Sequence, residues 1–150
     1  MKGRSLLPWG LAALFTVVPL YVLWVFHTPV CTVHPGVVPF SSLGRAERAV
    51  LPEEAGALRH AWYADGSTYV SVTRFEVPSA ELLRRRFPFR PATPADAARL
   101  TDLPPGLQQP WWLCLPLPDG AEIAVPAEKS LLLLLPPPAD TAYLMVREEE

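Results

Sequence analysis

The chain has 150 residues, of which 50% are hydrophobic and 19% charged, and its formal net charge is −2. Lys2 and Arg4 account for two of the 13 basic residues, so residues 27–150 carry 11 basic against 15 acidic side chains. This acidic balance argues against a nucleic acid as the partner, because phosphate binding requires a basic surface.

A membrane-spanning helix is the first predicted element. Residues 6–26, LLPWGLAALFTVVPLYVLWVF, contain no charged side chain. As a helix this run is about 31 Å long, which matches the ~30 Å hydrocarbon thickness of a bilayer. Pro19 is compatible with a spanning helix, and Trp9 and Trp24 lie near its two ends, where tryptophan is typical of the membrane interface.

The distribution of basic residues predicts the orientation of this helix. Lys2 and Arg4 precede the apolar run, and the next Lys or Arg is Arg45. The positive-inside bias therefore predicts that residues 1–5 are cytoplasmic and residues 27–150 extracytoplasmic, at the cell membrane. A cleaved secretory signal that releases a secreted domain is the alternative. Against it, the run exceeds the ~7–15 residues of a signal core, and no small-x-small cleavage site follows.

A proline-rich neck is predicted over residues 27–44, which contain three prolines, two glycines and no Asp, Glu, Lys or Arg. Such a segment is extended and stiffer than a Gly/Ser linker. Residues 45–150 then suffice for one extracytoplasmic domain with its own core, and two domains would be cramped. Of the 19 prolines, all except Pro8 and Pro19 lie outside the apolar run, so the elements of this domain must be short.

The domain begins with a predicted short helix over residues 45–51. A β-hairpin over residues 58–77 is the clearest local signal. Two strand-like runs there flank Asp65-Gly66, a dipeptide that suits the positive backbone angles of a tight turn.

Two further helices and four further strands complete the predicted domain. Ser79 caps a helix that ends before Pro88, and Thr93 caps another that ends near Leu103. The further strands are predicted over residues 111–115, 122–125, 131–135 and 141–147. The five leucines of 131–135 suit a strand buried on both faces. We predict an α+β fold, in which an antiparallel sheet of four to six strands follows the transmembrane helix and packs one or two short helices on one face.

The two cysteines, Cys31 and Cys114, both lie on the predicted outer side of the membrane, where an oxidising compartment permits a disulfide between them. Two unpaired thiols are the alternative, because two cysteines alone cannot establish the geometry of a bridge. Lipidation of Cys31 is disfavoured by the preceding Pro29-Val30, since small residues normally occupy those positions.

Four side chains are candidates for chemistry. His27, Cys31 and His34 form the pattern H-x3-C-x2-H, but three ligands fall short of a closed tetrahedral zinc site. His60, with Asp65 nearby in sequence, is the candidate base, but no Gly-x-Ser-x-Gly turn presents a serine to it. A c-type haem motif and a Gly-rich phosphate loop are also absent from the sequence. We therefore predict no catalytic, cofactor-binding or metal-binding residue.

Five side chains are candidates for partner binding. Neighbouring strand residues point to opposite faces, so one of Trp111 and Trp112 is expected to face outward as a binding residue unless both pack in the core. Arg84, Arg85 and Arg86 are candidates for contact with an acidic partner or anionic lipid, and a solvated helix face is the alternative.

These observations predict a non-catalytic, single-pass membrane protein. Its extracytoplasmic domain would bind a protein partner, as an accessory subunit of a membrane complex or an envelope adaptor. The alternative from another class is a small membrane-anchored enzyme or metal-binding module that uses His27, Cys31 and His34, or His60. The sequence gives no indication of a small-molecule ligand.

Overall fold

The computed structural model describes residues 7–113, 115–126 and 130–149, and it gives residues 7–13, 26 and 27 as backbone alone. Helix α1 (Leu7–His27) has 21 residues and contains Pro19. Its described side chains, residues 14–25, are all exposed. Within the part of the chain that the structure describes, no helix is both long and apolar enough to cross a membrane.

A seven-stranded antiparallel sheet follows α1 in the described residues. Its strands are β1 (Val30–Val33), β2 (Gly56–Ala64), β3 (Thr68–Glu76), β4 (Phe89–Pro91), β5 (Glu122–Ala124), β6 (Leu131–Leu135) and β7 (Thr141–Glu149). Their order across the sheet is β1-β2-β3-β7-β6-β5-β4, so β1 and β4 form the two edges. The short helices are α2 (Arg45–Val50), α3 (Ala80–Arg86) and α4 (Pro94–Thr101), with 3-10 turns at Phe40–Ser42 and Pro105–Leu107.

The α+β class and the small antiparallel sheet agree with the prediction from sequence, although the described sheet has seven strands rather than four to six. The hairpin is present as predicted. Strands β2 and β3 pair directly. Gly66 adopts φ +88°, a left-handed conformation that glycine reaches without strain. The Asp65 carboxylate accepts hydrogen bonds from the backbone N–H groups of Ser67 and Thr68, which closes the turn.

The prediction that one or two short helices pack on one face of the sheet is wrong, because α3 and α4 pack on opposite faces. Apolar side chains of β6 and β7 point to both faces. On one face, which we call the α3 face, Leu133 and Leu144 pack in a cluster that includes Leu83 of α3. On the opposite face, the α4 face, Leu134 packs in a cluster that includes Leu100 of α4. Both faces must be covered to remove this apolar surface from water.

Two predicted segments differ from the structure. Part of the predicted neck, Val30–Val33, pairs with β2 as an edge strand. The predicted strand over residues 111–115 is wrong for its described residues, because Trp112 N–H bonds back to the Gln109 carbonyl in a turn. Pro110 and Pro116 flank this segment and cannot donate to a ladder.

Candidate functional site

An open groove of about 870 Å³ lies on the α4 face. Ala97, Ala98 and Thr101 of α4 form part of one wall, and residues 115–121 form the opposite wall. Small side chains and prolines dominate this lining, so backbone and apolar carbon form most of its surface. Such a groove can hold an apolar chain more readily than it can hold a charged group.

The capping box of α4 fixes the first wall. The Thr93 hydroxyl accepts a hydrogen bond from Asp96 N–H, and the Asp96 carboxylate accepts one from Thr93 N–H. Arg90 donates two further hydrogen bonds to Asp96, at 2.7 and 2.9 Å. These bonds from Arg90, with those from Thr93, hold the pKa of the Asp96 carboxyl well below its usual range.

The second wall is tied to the first by backbone hydrogen bonds. Ala92 N–H donates to the Ala121 carbonyl at 2.9 Å, and Ala121 N–H donates to the Pro118 carbonyl at 3.1 Å. Leu115 nevertheless remains 53% exposed at the groove. Among the described residues that line the groove, Asp119 carries the only charge. The groove therefore combines an apolar surface with one negative charge.

A buried polar cluster lies on the α3 face. Glu47 of α2 accepts hydrogen bonds from the hydroxyl groups of Ser71 and Tyr69. Beside it, His60 Nδ1 and Thr73 Oγ1 are 2.9 Å apart. Burial, with the nearby charge of Glu47, raises the pKa of Tyr69 to about 12.

His60 is the titratable group at the centre of this cluster. Burial lowers the pKa of His60 more than the charge of Glu47 raises it. His34 stacks on His60 with ring centroids 6.0 Å apart and lowers that pKa further. His60 is therefore held neutral at pH 7.

This cluster contains side chains that can act as nucleophiles or bases in enzymes, but a substrate cannot reach them. Glu47, His60, Ser71 and Thr73 are each at most 2% exposed. The Ser71 hydroxyl donates to the Glu47 carboxylate, and no hydrogen bond joins it to His60 among the described residues. The arrangement satisfies buried polar groups and ties α2 to the sheet.

Sequence reasoning missed Glu47 and the groove. Glu47 lies three residues before Val50, which is also buried, so helical spacing places both on the inward side of α2. That spacing was the available signal. The groove depends on the approach of residues 115–121 to α4, and no local sequence pattern indicates this approach.

The predicted tryptophans lie in and beside the core of the α4 face. Trp112 is 5% exposed, and its indole N–H donates to the Leu100 carbonyl at 3.1 Å. Its ring packs edge-on against Tyr143, with centroids 5.4 Å apart. Trp111 is half-buried and packs edge-on against Trp112. The Trp112 ring is therefore not exposed to a partner in this structure.

The three predicted arginines lie on the exposed surface of α3. Arg84 pairs with Glu122 at 2.6 Å and with Glu81 at 3.2 Å. Arg86 donates to the Ala49 carbonyl and lies over the ring of Phe87. Arg85 is also exposed. Contact of these side chains with a partner stays a prediction.

Two of the three side chains considered as metal ligands, Cys31 and His34, lie on opposite faces of the sheet. Cys31 lies on the α4 face, where its thiol adjoins Gly106, whereas His34 stacks on His60 on the α3 face. The His27 side chain lies outside the described residues, and within those residues no group of three His, Cys, Asp or Glu side chains could hold a metal ion. Cys31 forms no disulfide with another described residue. Its predicted disulfide partner, Cys114, also lies outside the described residues, so the bridge stays a prediction.

Comparison of the chain with protein-family models, with curated proteins and with solved structures finds no match.

Proposed function

We propose that this chain is a non-catalytic, single-pass membrane protein whose C-terminal α+β domain binds a protein partner through the groove beside α4. The occupant is an extended apolar segment of the partner that carries a basic residue. The N-terminus is cytoplasmic, and the domain is extracytoplasmic.

The groove is the observation that carries this proposal. Its lining is apolar and open, and Leu115 remains 53% exposed at its wall. Exposed apolar surface of this kind marks binding sites on small domains. Asp119 is the only charged residue in the described part of the lining, and residues 27–150 have an acidic balance. A basic residue in the occupant is therefore electrostatically favoured.

The membrane location is supported mainly by the amino-acid sequence. Residues 6–26 carry no charge and are long enough to span a bilayer as a helix. Residues 14–25 expose their side chains around α1, which in water would be unfavourable for a run so rich in Leu, Val and aromatic residues. A lipid environment removes that cost.

The absence of catalysis is proposed because the base and hydroxyl side chains that lie together in the buried polar cluster are inaccessible. Ser71 and Thr73 are fully buried, and His60 is 2% exposed. Nucleophilic catalysis requires a nucleophile within hydrogen-bond distance of its base, and the substrate must reach that nucleophile. The burial of these side chains prevents a substrate from reaching them.

A peptide selection tests the proposed function. A random peptide library is panned against the full chain in lipid nanodiscs, with empty nanodiscs as the subtraction control. We expect enriched peptides with apolar residues beside Lys or Arg, and photocrosslinks from these peptides to residues 91–98 and 115–121. The proposal is overturned if no peptide is enriched over empty nanodiscs, or if the crosslinks map to the α3 face.

A further inference from the structure

We propose that Arg59 and Arg74 form a binding site for a small doubly charged oxyanion of the phosphate class, separate from the groove. The two residues lie directly opposite each other on β2 and β3. Opposite residues of an antiparallel pair share a face, with Cβ atoms about 4.5–5.5 Å apart. Both side chains point to the α4 face, because Ala61 and Val72, next in the same alternation, pack in its core.

Neither guanidinium has a partner in the described residues. All four ion pairs there involve other cations. Both arginines are half-buried, and the Nε atom of Arg74 is shielded from solvent without a hydrogen-bond acceptor. Two like charges directly opposite each other are unfavourable, and a buried donor without an acceptor is also costly. An oxyanion between the two residues would relieve both costs.

Among the described residues, no acidic side chain forms an ion pair with either arginine. Residues 103–118, which include the cover of the α4 face, contain no charged side chain. Glu76 lies two residues further along β3, but it is exposed and pairs with neither arginine in the described structure. The pair therefore presents two uncompensated positive charges, which match a phosphate dianion better than they match a monocarboxylate.

The residues next to Arg59 and Arg74 in the sheet also favour a defined site. Tyr143 of β7 lies opposite Arg74, and its ring is held edge-on by Trp112. Immediately before Arg59, the register of β2 shifts at a bulge, and Ala57 adopts φ +46°, a strained conformation for a residue with a Cβ atom. Bulges and strained residues of this kind are enriched at functional sites, where they redirect a neighbouring side chain.

The test uses the full chain in a maltoside detergent, which carries no phosphate. Inorganic phosphate is titrated calorimetrically, with chloride and acetate at equal ionic strength as reference ions. We expect saturable phosphate binding that weakens at least about tenfold in Arg59→Gln and in Arg74→Gln, because each loses charged hydrogen bonds. Arg45→Gln, which removes the same charge from an exposed position on α2, should bind phosphate like the wild type.

Thermal melting in chloride gives a second readout. Removal of one of two opposed charges should raise the melting temperature of Arg59→Gln above that of the wild type in chloride, while phosphate raises the melting temperature of the wild type more than that of Arg59→Gln. Arg59→Gln decides the outcome if Arg74→Gln fails to fold. Equal phosphate affinity in the wild type and Arg59→Gln would overturn the proposal, as would the absence of saturable binding. Neither result bears on the proposal that a partner binds in the groove beside α4.

Discussion

The carboxylate of Glu47 on α2 accepts a hydrogen bond from the hydroxyl of Ser71 on β3, in the interior of the α3 face. Tyr69, two residues earlier on β3, donates to the same carboxylate at 3.2 Å. Gly44 makes this arrangement possible, because a Cβ atom there would collide with the Glu47 carboxylate. One acidic side chain thus joins a short helix to the centre of the sheet.

Substitution of Glu47 tests this connection. Glu47→Ala leaves two hydroxyl groups without their acceptor and opens a cavity, so we expect the free energy of unfolding to fall by about 3 kcal/mol. Glu47→Gln keeps one acceptor oxygen and should cost less. Urea denaturation measures both variants, and Glu54→Ala, at an exposed position, is the matched control. Equal losses for Glu47→Ala and Glu54→Ala would contradict the assigned role.

His60 should make the stability of the domain depend on pH. Burial lowers the folded-state pKa of His60 below 6.5, although Glu47 opposes the shift and His34 adds to it. Between the folded pKa and 6.5 the unfolded chain therefore binds more protons than the folded chain. The free energy of unfolding should be highest above pH 6.5 and decrease as the pH falls through this window.

Variants of His60 and His34 can identify which histidine causes this pH dependence of stability. Urea denaturation at several pH values in this range gives the slope of the unfolding free energy against pH. This slope should be smaller for His60→Gln than for the wild type, while His34→Gln keeps most of the wild-type slope. If His60→Gln and the wild type lose stability in parallel on acidification, His60 is not the group that titrates.

Trp112 is expected to matter for stability rather than for partner contact. Trp112→Phe keeps an aromatic ring but loses the hydrogen bond to the Leu100 carbonyl, at a cost of about 1–2 kcal/mol. Thermal or urea unfolding measures the loss, and Trp111→Phe, at a half-buried neighbour, should have a smaller effect. An unchanged stability of Trp112→Phe would indicate that the indole N–H has no structural role.

The proposed orientation in the membrane can be tested at Cys31, which is exposed and forms no disulfide with another described residue. In a Cys114→Ser variant, a membrane-impermeant maleimide added to intact cells or spheroplasts should label Cys31. The double variant Cys31→Ser/Cys114→Ser should remain unlabelled. Labelling that requires lysis of the membrane would reverse the proposed orientation.

Local sequence patterns predicted much of the fold. Asp65-Gly66 predicted the central hairpin, and the caps Ser79 and Thr93 predicted the starts of α3 and α4. These features depend on residues that are neighbours in the chain, so local rules suffice for them.

Features that depend on distant contacts could not be predicted in the same way. Strand β1 forms because Val30–Val33 lies beside β2, although its own sequence is typical of a neck. Residues 111–115 have the apolar composition of a strand, but the turn at Trp112 and the burial of its ring take precedence. The groove arises where two segments meet, and neither segment contains a motif that indicates it.

The dissociation constant of one selected peptide, measured for three forms of the full chain, tests the central proposal most directly. Ala98→Arg places a charge in the groove, whereas Ala95→Arg places the same charge at an exposed position of α4 outside it. Both variants repel a basic peptide equally at long range. A difference between their dissociation constants therefore comes from contact of the peptide with the groove. We expect Ala98→Arg to weaken binding at least about tenfold while Ala95→Arg stays close to the wild type. Equal affinities of the two variants would contradict binding in the groove.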